Sequence, residues 1–319
     1  MGKKTCEQEL DMIARGNHDE IMAYIAKCCF DEKSEIAFVK RGNHDEIMLY
    51  LLIEHELYKR ALPAFIKRGN HDEIMAYIIL NDGLDEKSEI ALVKRGNHGE
   101  IMAYITKNPL GKQAQIAFIE RDNREEFNAY INEYCFSAAA EKVLLQRDNH
   151  DEIMACVAKC PLRGEAEVAF FERGNHEEIM AYIATKCSFE DEKSEIALIK
   201  RGNHEEIMAY IAKRCFDEKS EIAFVKRGNH EEIMAYIGRN YFCLEAEIAL
   251  IERGNHDEIM SYIPQPFEEE AEIAFVKRGN HEEIMAYLKQ HKLGDKAGAA
   301  LVERGNDEEI AAYKKQTEN

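Results

Sequence analysis

Apolar residues recur along this chain in two short alternating patterns. The first runs Ile-Met-Ala-Tyr-Ile, as at Ile207, Met208, Tyr210 and Ile211, and the second runs Ile-Ala-Phe-Val, as at Ile222, Phe224 and Val225. Each places its large side chains on one face at helical spacing, which predicts a short amphipathic helix for each pattern. The polar letters between them read as helix ends. Gly228 follows Lys226 and Arg227, predicting a left-handed stop with cations at the negative end of the helix dipole. Asn229 comes next and predicts the cap of the following helix, so the joint between helices is very tight.

The pair of patterns returns at intervals of about 26 residues, with the capping Asn running from Asn17 to Asn306. Eleven full units result. EQELDMIARG (Glu7 to Gly16) precedes them and matches the second half of a unit, and NDEEIAAYKKQTEN follows them and matches the first half. A fixed period of this length predicts an all-α fold, a right-handed α-solenoid of about eleven 26-residue two-helix repeats with half-repeat caps. The expected organisation is one continuous array over 1–319, with 1–16 as the N-terminal cap, 17–305 as the repeats and 306–319 as the C-terminal cap. The last half-unit carries Ala311, Lys314 and Lys315 where other units are apolar, as a solvent-facing cap requires.

In the clean unit Asn203 to Gly228, the repeated ladder of Asn203, His204, Glu206, Arg227 and Gly228 reads as structural. Asn203 and Glu206 make a capping-box pattern, in which the Asn side chain accepts from an early amide and the Glu side chain reaches back to the Asn amide. Asp217 or Ser220 is expected to cap the second helix, and Phe216, like Phe30, Leu110 and Leu293 elsewhere, to fold back as an apolar plug. His204 has no firm assignment. Two units break the pattern. In Asn43 to Gly69, Pro63 falls inside the expected second helix, so the first helix should lengthen and the second shorten. In Asn123 to Asp148, Arg124 replaces His, Phe127-Asn128 replace Ile-Met, and Asp148 replaces the terminal Gly. Such irregular units are expected to mark a bend or a contact site.

The stretch SEIAFVKRGNHEEIMAYI, Ser220 to Ile237, resembles the two-helix core of an ankyrin repeat: a helix ending in Gly, a tight turn, and an acid before Ile in the next helix. The Thr-Pro-Leu-His signature and about seven residues of hairpin are absent. HEAT and tetratricopeptide repeats share the helix-pair logic in longer units. The resemblance is thus to helical solenoids as a class, and it implies protein binding along a concave or edge surface, with no functional residue to carry over.

Charge narrows the choice of partner. Lys plus Arg is 42 against 61 Asp plus Glu, a formal net charge of -19. Such a surface repels phosphate backbones and anionic lipid and favours a basic protein. No apolar run reaches the length of a membrane span, and the start, MGKKTCEQEL, lacks the apolar core of a signal peptide. Nine cysteines without a CxxC pair are expected to be reduced thiols, and the protein to be cytoplasmic.

The His ladder, from His18 to His281, pairs each His with acids, as metal sites and acid-base catalysts do. Yet one His per unit sits a helix layer from the next, and no HExxH pair exists. No catalytic residue, metal ligand or cofactor site is therefore expected. The connector after each first helix varies most, so its residues are the candidate partner-binding edge: Lys27, Glu54, Asn81, Lys107, Glu133, Lys159, Lys213, Arg239, Gln265 and Gln290. The expected function is a non-catalytic scaffold, or an inhibitor or effector that mimics phosphate charge, bound to a basic protein. The alternative is a repeat-based nucleic-acid-binding protein, which the acidic balance disfavours.

Overall fold

A computed structural model describes residues 3–53, 56–186, 189 and 191–317. Among these residues are 24 helices and no strands, numbered here in chain order from α1 (Cys6–Arg15) to α24 (Asp307–Thr317). Helix α1 is the leading half-unit, α24 the trailing one, and those between form the eleven expected pairs. The helices gather into two compact units, Met1–Ala166 and Glu167–Asn319. Within each, first helices pack beside first helices of the next repeat and second helices beside second helices, the packing of an α-solenoid.

The joint between repeats follows from its letters. Helix α17 (Glu218–Arg227) ends at Gly228, whose φ of 76° is the left-handed conformation and whose N–H donates to the Phe224 carbonyl at 3.3 Å. Asn229 is extended and caps α18 (His230–Ile237), its side chain accepting from the Glu232 amide at 3.1 Å. Where Asp148 replaces Gly, it adopts φ 58°, a conformation that a short polar side chain tolerates better than most. Asp217 takes the N-cap place of α17 as expected, though its side chain makes no cap hydrogen bond; in other units the bond forms, Asp31 accepting from the Ser34 amide and Asp85 from that of Ser88.

The core departs from the apolar stripe in one respect. Ile207, Tyr210, Ile211, Phe216, Phe224 and Val225 are buried, but so are Glu206 and Glu221, while Met208 and Ile222 are only half-buried. Each helix therefore turns one carboxylate inward and leaves one apolar side chain near solvent. The connector plugs stack between tyrosines: Tyr210 to Phe216, Phe216 to Tyr236 and Tyr236 to Phe242 have ring centroids 5.0, 5.7 and 5.1 Å apart. These side chains are core, as their helical context predicts.

The irregular units differ from expectation in detail. Helix α5 (Leu62–Arg68) does shorten to 7 residues, with Pro63 in its first turn, where a missing N–H forfeits no helical bond. The preceding α4 (His44–Leu52) has 9 residues, between the 8 of α2 (His18–Ile25) and the 10 of α6 (His71–Leu80), so it is not unusually long. Cys135 and Cys160 are joined by a disulfide across neighbouring repeats, with Cα atoms 5.6 Å apart, which corrects the expectation that all thiols are reduced. The cause is the period itself, because it sets connector residues of successive units side by side.

A substitution pair separates the left-handed stop from ordinary glycine. Gly228→Ala is expected to lower stability by about 1–2 kcal/mol, because a Cβ there is strained and meets the Arg253 guanidinium. Gly238, at φ -65° with only ordinary contacts, is expected to accept Ala within about 0.5 kcal/mol or gain slightly. Urea-unfolding midpoints of the two variants check this.

Candidate functional site

The repeated Arg-Gly-Asn-His-acid-Glu string builds a polar joint rather than an open site. Take Glu206, the third residue of α16 (His204–Ile211), whose side chain is wholly buried. Its amide donates to Asn203 Oδ1 at 3.2 Å, the expected cap. Its carboxylate, however, does not return to the Asn amide. Oε2 accepts from Arg201 Nε at 2.8 Å, and Oε1 faces Nδ1 of His176, in the preceding repeat, at 2.9 Å. The full capping box is therefore corrected to half a box, and among the described residues the reciprocal form is seen at Thr5 and Gln8 of α1. A buried carboxylate gains more from a guanidinium and an imidazole than from one amide.

The same joint assigns the histidines. His204 Nδ1 lies 3.0 Å from Glu232 Oε1, and its Nε2 3.6 Å from the exposed Glu231. A carboxylate oxygen accepts, so this contact is a hydrogen bond in the tautomer with the proton on Nδ1. His18, His44, His71, His98, His230, His256 and His281 make the same Nδ1 contact with the next repeat. Arg227 closes the joint from the other side: it pairs with Glu232 and donates to the Gly202 carbonyl of the preceding repeat at 2.9 Å. Where Arg124 replaces His, it turns out to Asp151 at 2.9 Å, and burial pushes the Glu152 carboxyl above its ordinary range despite Arg147.

A second row, not anticipated from the sequence, runs through the second helices. Glu221 Oε1 accepts from the Tyr236 hydroxyl at 2.6 Å and Oε2 from the Cys243 amide at 2.8 Å, while Tyr236 itself accepts from the Phe216 amide at 3.1 Å. Tyr262 with Glu247 and Tyr287 with Glu272 repeat the arrangement. The available signal was the unchanging Glu before Ile-Ala, together with its exceptions. Gln115 keeps the bonds as a neutral group, its Nε2 3.1 Å from the Tyr130 hydroxyl and its Oε1 accepting from Ser137 at 2.8 Å. Gly298 stands at the last such position, against Tyr313. Burial raises the carboxyls of this row, Glu35 to about 7 and Glu89, Glu195 and Glu247 in the same direction.

The candidate partner edge is on the surface. Lys27, Lys107, Glu133, Lys159, Lys213, Arg239 and Gln290 are exposed, Asn81 and Gln265 are half-buried, and Glu54 lies outside the described residues. Several have structural bonds: Lys213 Nζ donates to the Ala184 carbonyl at 3.0 Å, Arg239 Nη1 to Ala212 at 2.8 Å and Gln265 Nε2 to Ile237 at 3.4 Å. They cap the open C-terminal carbonyls of the first helix one repeat back. Glu218, Cys243 and Glu245 are the one group of three metal-type ligands found among the described residues, and burial holds the Cys243 thiol up at about 11, so it is no thiolate at neutral pH. No helix among the described residues is long and apolar enough to cross a membrane.

Comparison with known proteins finds no matching family model, no similar curated protein and no similar solved structure. What the repeated letters do is therefore read from their geometry alone.

Two outcomes follow. Glu206→Ala strands Arg201 against a buried site and is expected to destabilise by about 3 kcal/mol, whereas Glu205→Ala, at a side chain 75% exposed, is expected to stay within about 0.5 kcal/mol, by chemical denaturation. For Glu35, the folded state keeps a proton up to about 7 that the unfolded chain releases near 4.5. The folded state thus holds more protons in that window, so this group's stabilisation is complete below 4.5 and is lost as pH rises to about 7. Glu35→Gln, patterned on Gln115, is expected to flatten that decline in a series of unfolding midpoints against pH.

Proposed function

We propose that this protein is a non-catalytic scaffold or inhibitor that binds a basic protein partner through an acidic solenoid surface. The observation that carries the reading is the division of its carboxylates. One set is buried and bound to Arg, His and Tyr within the fold, and another, such as Glu205 and Glu231 at 75% and 76% exposed, stands in the first turns facing solvent. The helix dipole favours acids there, but their repetition also lays a row of like charge along one side of the stacked first helices.

The connector edge remains part of the proposal in reduced form. Lys27, Lys107, Glu133, Lys159 and Gln290 keep exposed side chains for it, whereas the exposed Lys213 and Arg239 and the half-buried Gln265 serve the fold as carbonyl caps. A cytoplasmic setting suits the thiols of Cys6, Cys28, Cys29, Cys215 and Cys243, while the Cys135–Cys160 disulfide counts against it.

Affinity capture from native lysate, repeated over a salt series, tests the reading. The captured partner is expected to be basic and to bind about tenfold or more weakly as salt rises from about 0.05 to 0.5 M. An affinity flat across that series removes the charge-based version, and retention of nucleic acid in place of protein removes the reading altogether.

A further inference from the structure

The outward face of the first helices changes character at one place. Residues at i, i+3, i+4 and i+7 from the first-turn acid line that face: in α2 they are Asp19, Met22, Ala23 and Ala26. In α4 they become Asp45, Met48, Leu49 and Leu52, and in α6 Asp72, Met75, Ala76 and Ile79, with Leu80 beside it. Leu52, Ile79 and Leu80 are 61%, 62% and 51% exposed, where other units place Ala26, Thr106 or Ala158. Helices α4 and α6 pack side by side, so these residues form one apolar strip with half-buried Met48 and Met75. Nothing in the fold requires them, because the inward faces of both helices are already filled by Ile47, Tyr50, Ile74 and Tyr77.

The strip is bordered by carboxylates at both ends. Asp45 and Asp72 stand exposed at the N-terminal ends of the helices, and Asp82 stands exposed beyond the C-terminal end of α6. We propose that this strip is the docking site for an amphipathic, basic helical segment of a partner protein. The partner's apolar face lies on Leu52, Ile79, Leu80 and the two methionines, and its Lys or Arg side chains reach the bordering acids. Methionine side chains adapt to varied apolar shapes, which suits such a surface. A second copy of this chain is the weaker occupant, since it would set acidic borders against acidic borders on a molecule of net charge -19.

This inference rests on the scaffold reading and locates its site. The test uses the full chain and a synthetic Leu/Lys amphipathic helical peptide, titrated by fluorescence anisotropy, with a Leu/Glu peptide of the same pattern as comparison. The substituted side chains are exposed, and circular dichroism melts verify folding. Leu52→Gln with Ile79→Gln is expected to weaken Leu/Lys binding about tenfold, and Asp45→Lys with Asp72→Lys similarly. Glu205→Lys with Glu231→Lys, on the acidic row of the other compact unit, is expected to weaken it only through the loss of general charge attraction, about two- to threefold and less than either strip variant. The Leu/Glu peptide is expected not to bind.

Equal binding by wild type and the Leu52/Ile79 variant, with loss in the Glu205/Glu231 variant, overturns the docking site while leaving the acidic scaffold standing. A concentration-dependent dimer in sedimentation that the Leu52/Ile79 variant abolishes overturns it in favour of self-association. Failure of every basic peptide to bind at low salt overturns both.

Discussion

Everything in this fold turns on where each repeat places the carboxylate at the third position of its first helix. Glu206 is buried, and it is held there by Arg201 from before the turn and His176 from the repeat behind it. Its own repeat supplies the same service forward, through His204 to Glu232. One carboxylate thus joins the helix start, the turn and the neighbouring repeat. A charge taken out of water is destabilising unless its partners are in place, so the Arg, the His and the Glu constrain one another. This is why the three letters recur together, and why the string has the look of an active site.

The second row acts on the opposite helix layer. Glu221 binds the hydroxyl of Tyr236 and the amide that opens the next second helix, while Tyr236 accepts from the connector amide of Phe216. Backbone amides in the connector would otherwise be buried without partners. The Tyr and Phe rings stack around them, so the polar bonds and the apolar core occupy the same layer. Net stability from such buried groups is small. Their main effect is on register, because a repeat shifted by one residue would leave each of them unpaired.

The exceptions show which constraint is which. Gln115 preserves the bonding without charge, so this row needs the hydrogen bonds and not ionisation. Gly298 stands in place of the Glu against Tyr313, in the last second helix among the described residues. Arg124 loses the stitch and turns to Asp151 at the surface, leaving Glu152 with Arg147. Pro63 is accommodated because it falls in the first turn of α5, and that shortening coincides with the stretch where α4 and α6 expose apolar side chains.

The helix count, the half-units, the Gly stop, the Asn cap and the buried plugs were all legible in the letters, since each depends on contacts within a few residues of the chain. Half of the capping box was misread for the same reason: Asn203 to Glu206 looks local, but the Glu carboxylate has stronger partners elsewhere. His204, the glutamates of the second helices and the Cys135–Cys160 bond could not be placed, because their partners lie about one repeat away and periodicity alone does not say which atoms meet. The exposure of Leu52, Ile79 and Leu80 is likewise decided by packing, which determines the face of each helix that the core has already filled. The sequence by itself determined the elements and their period, through local backbone chemistry; the tertiary structure alone decided which charges are shared between repeats and which surface is left apolar, because both depend on neighbours that only stacking supplies.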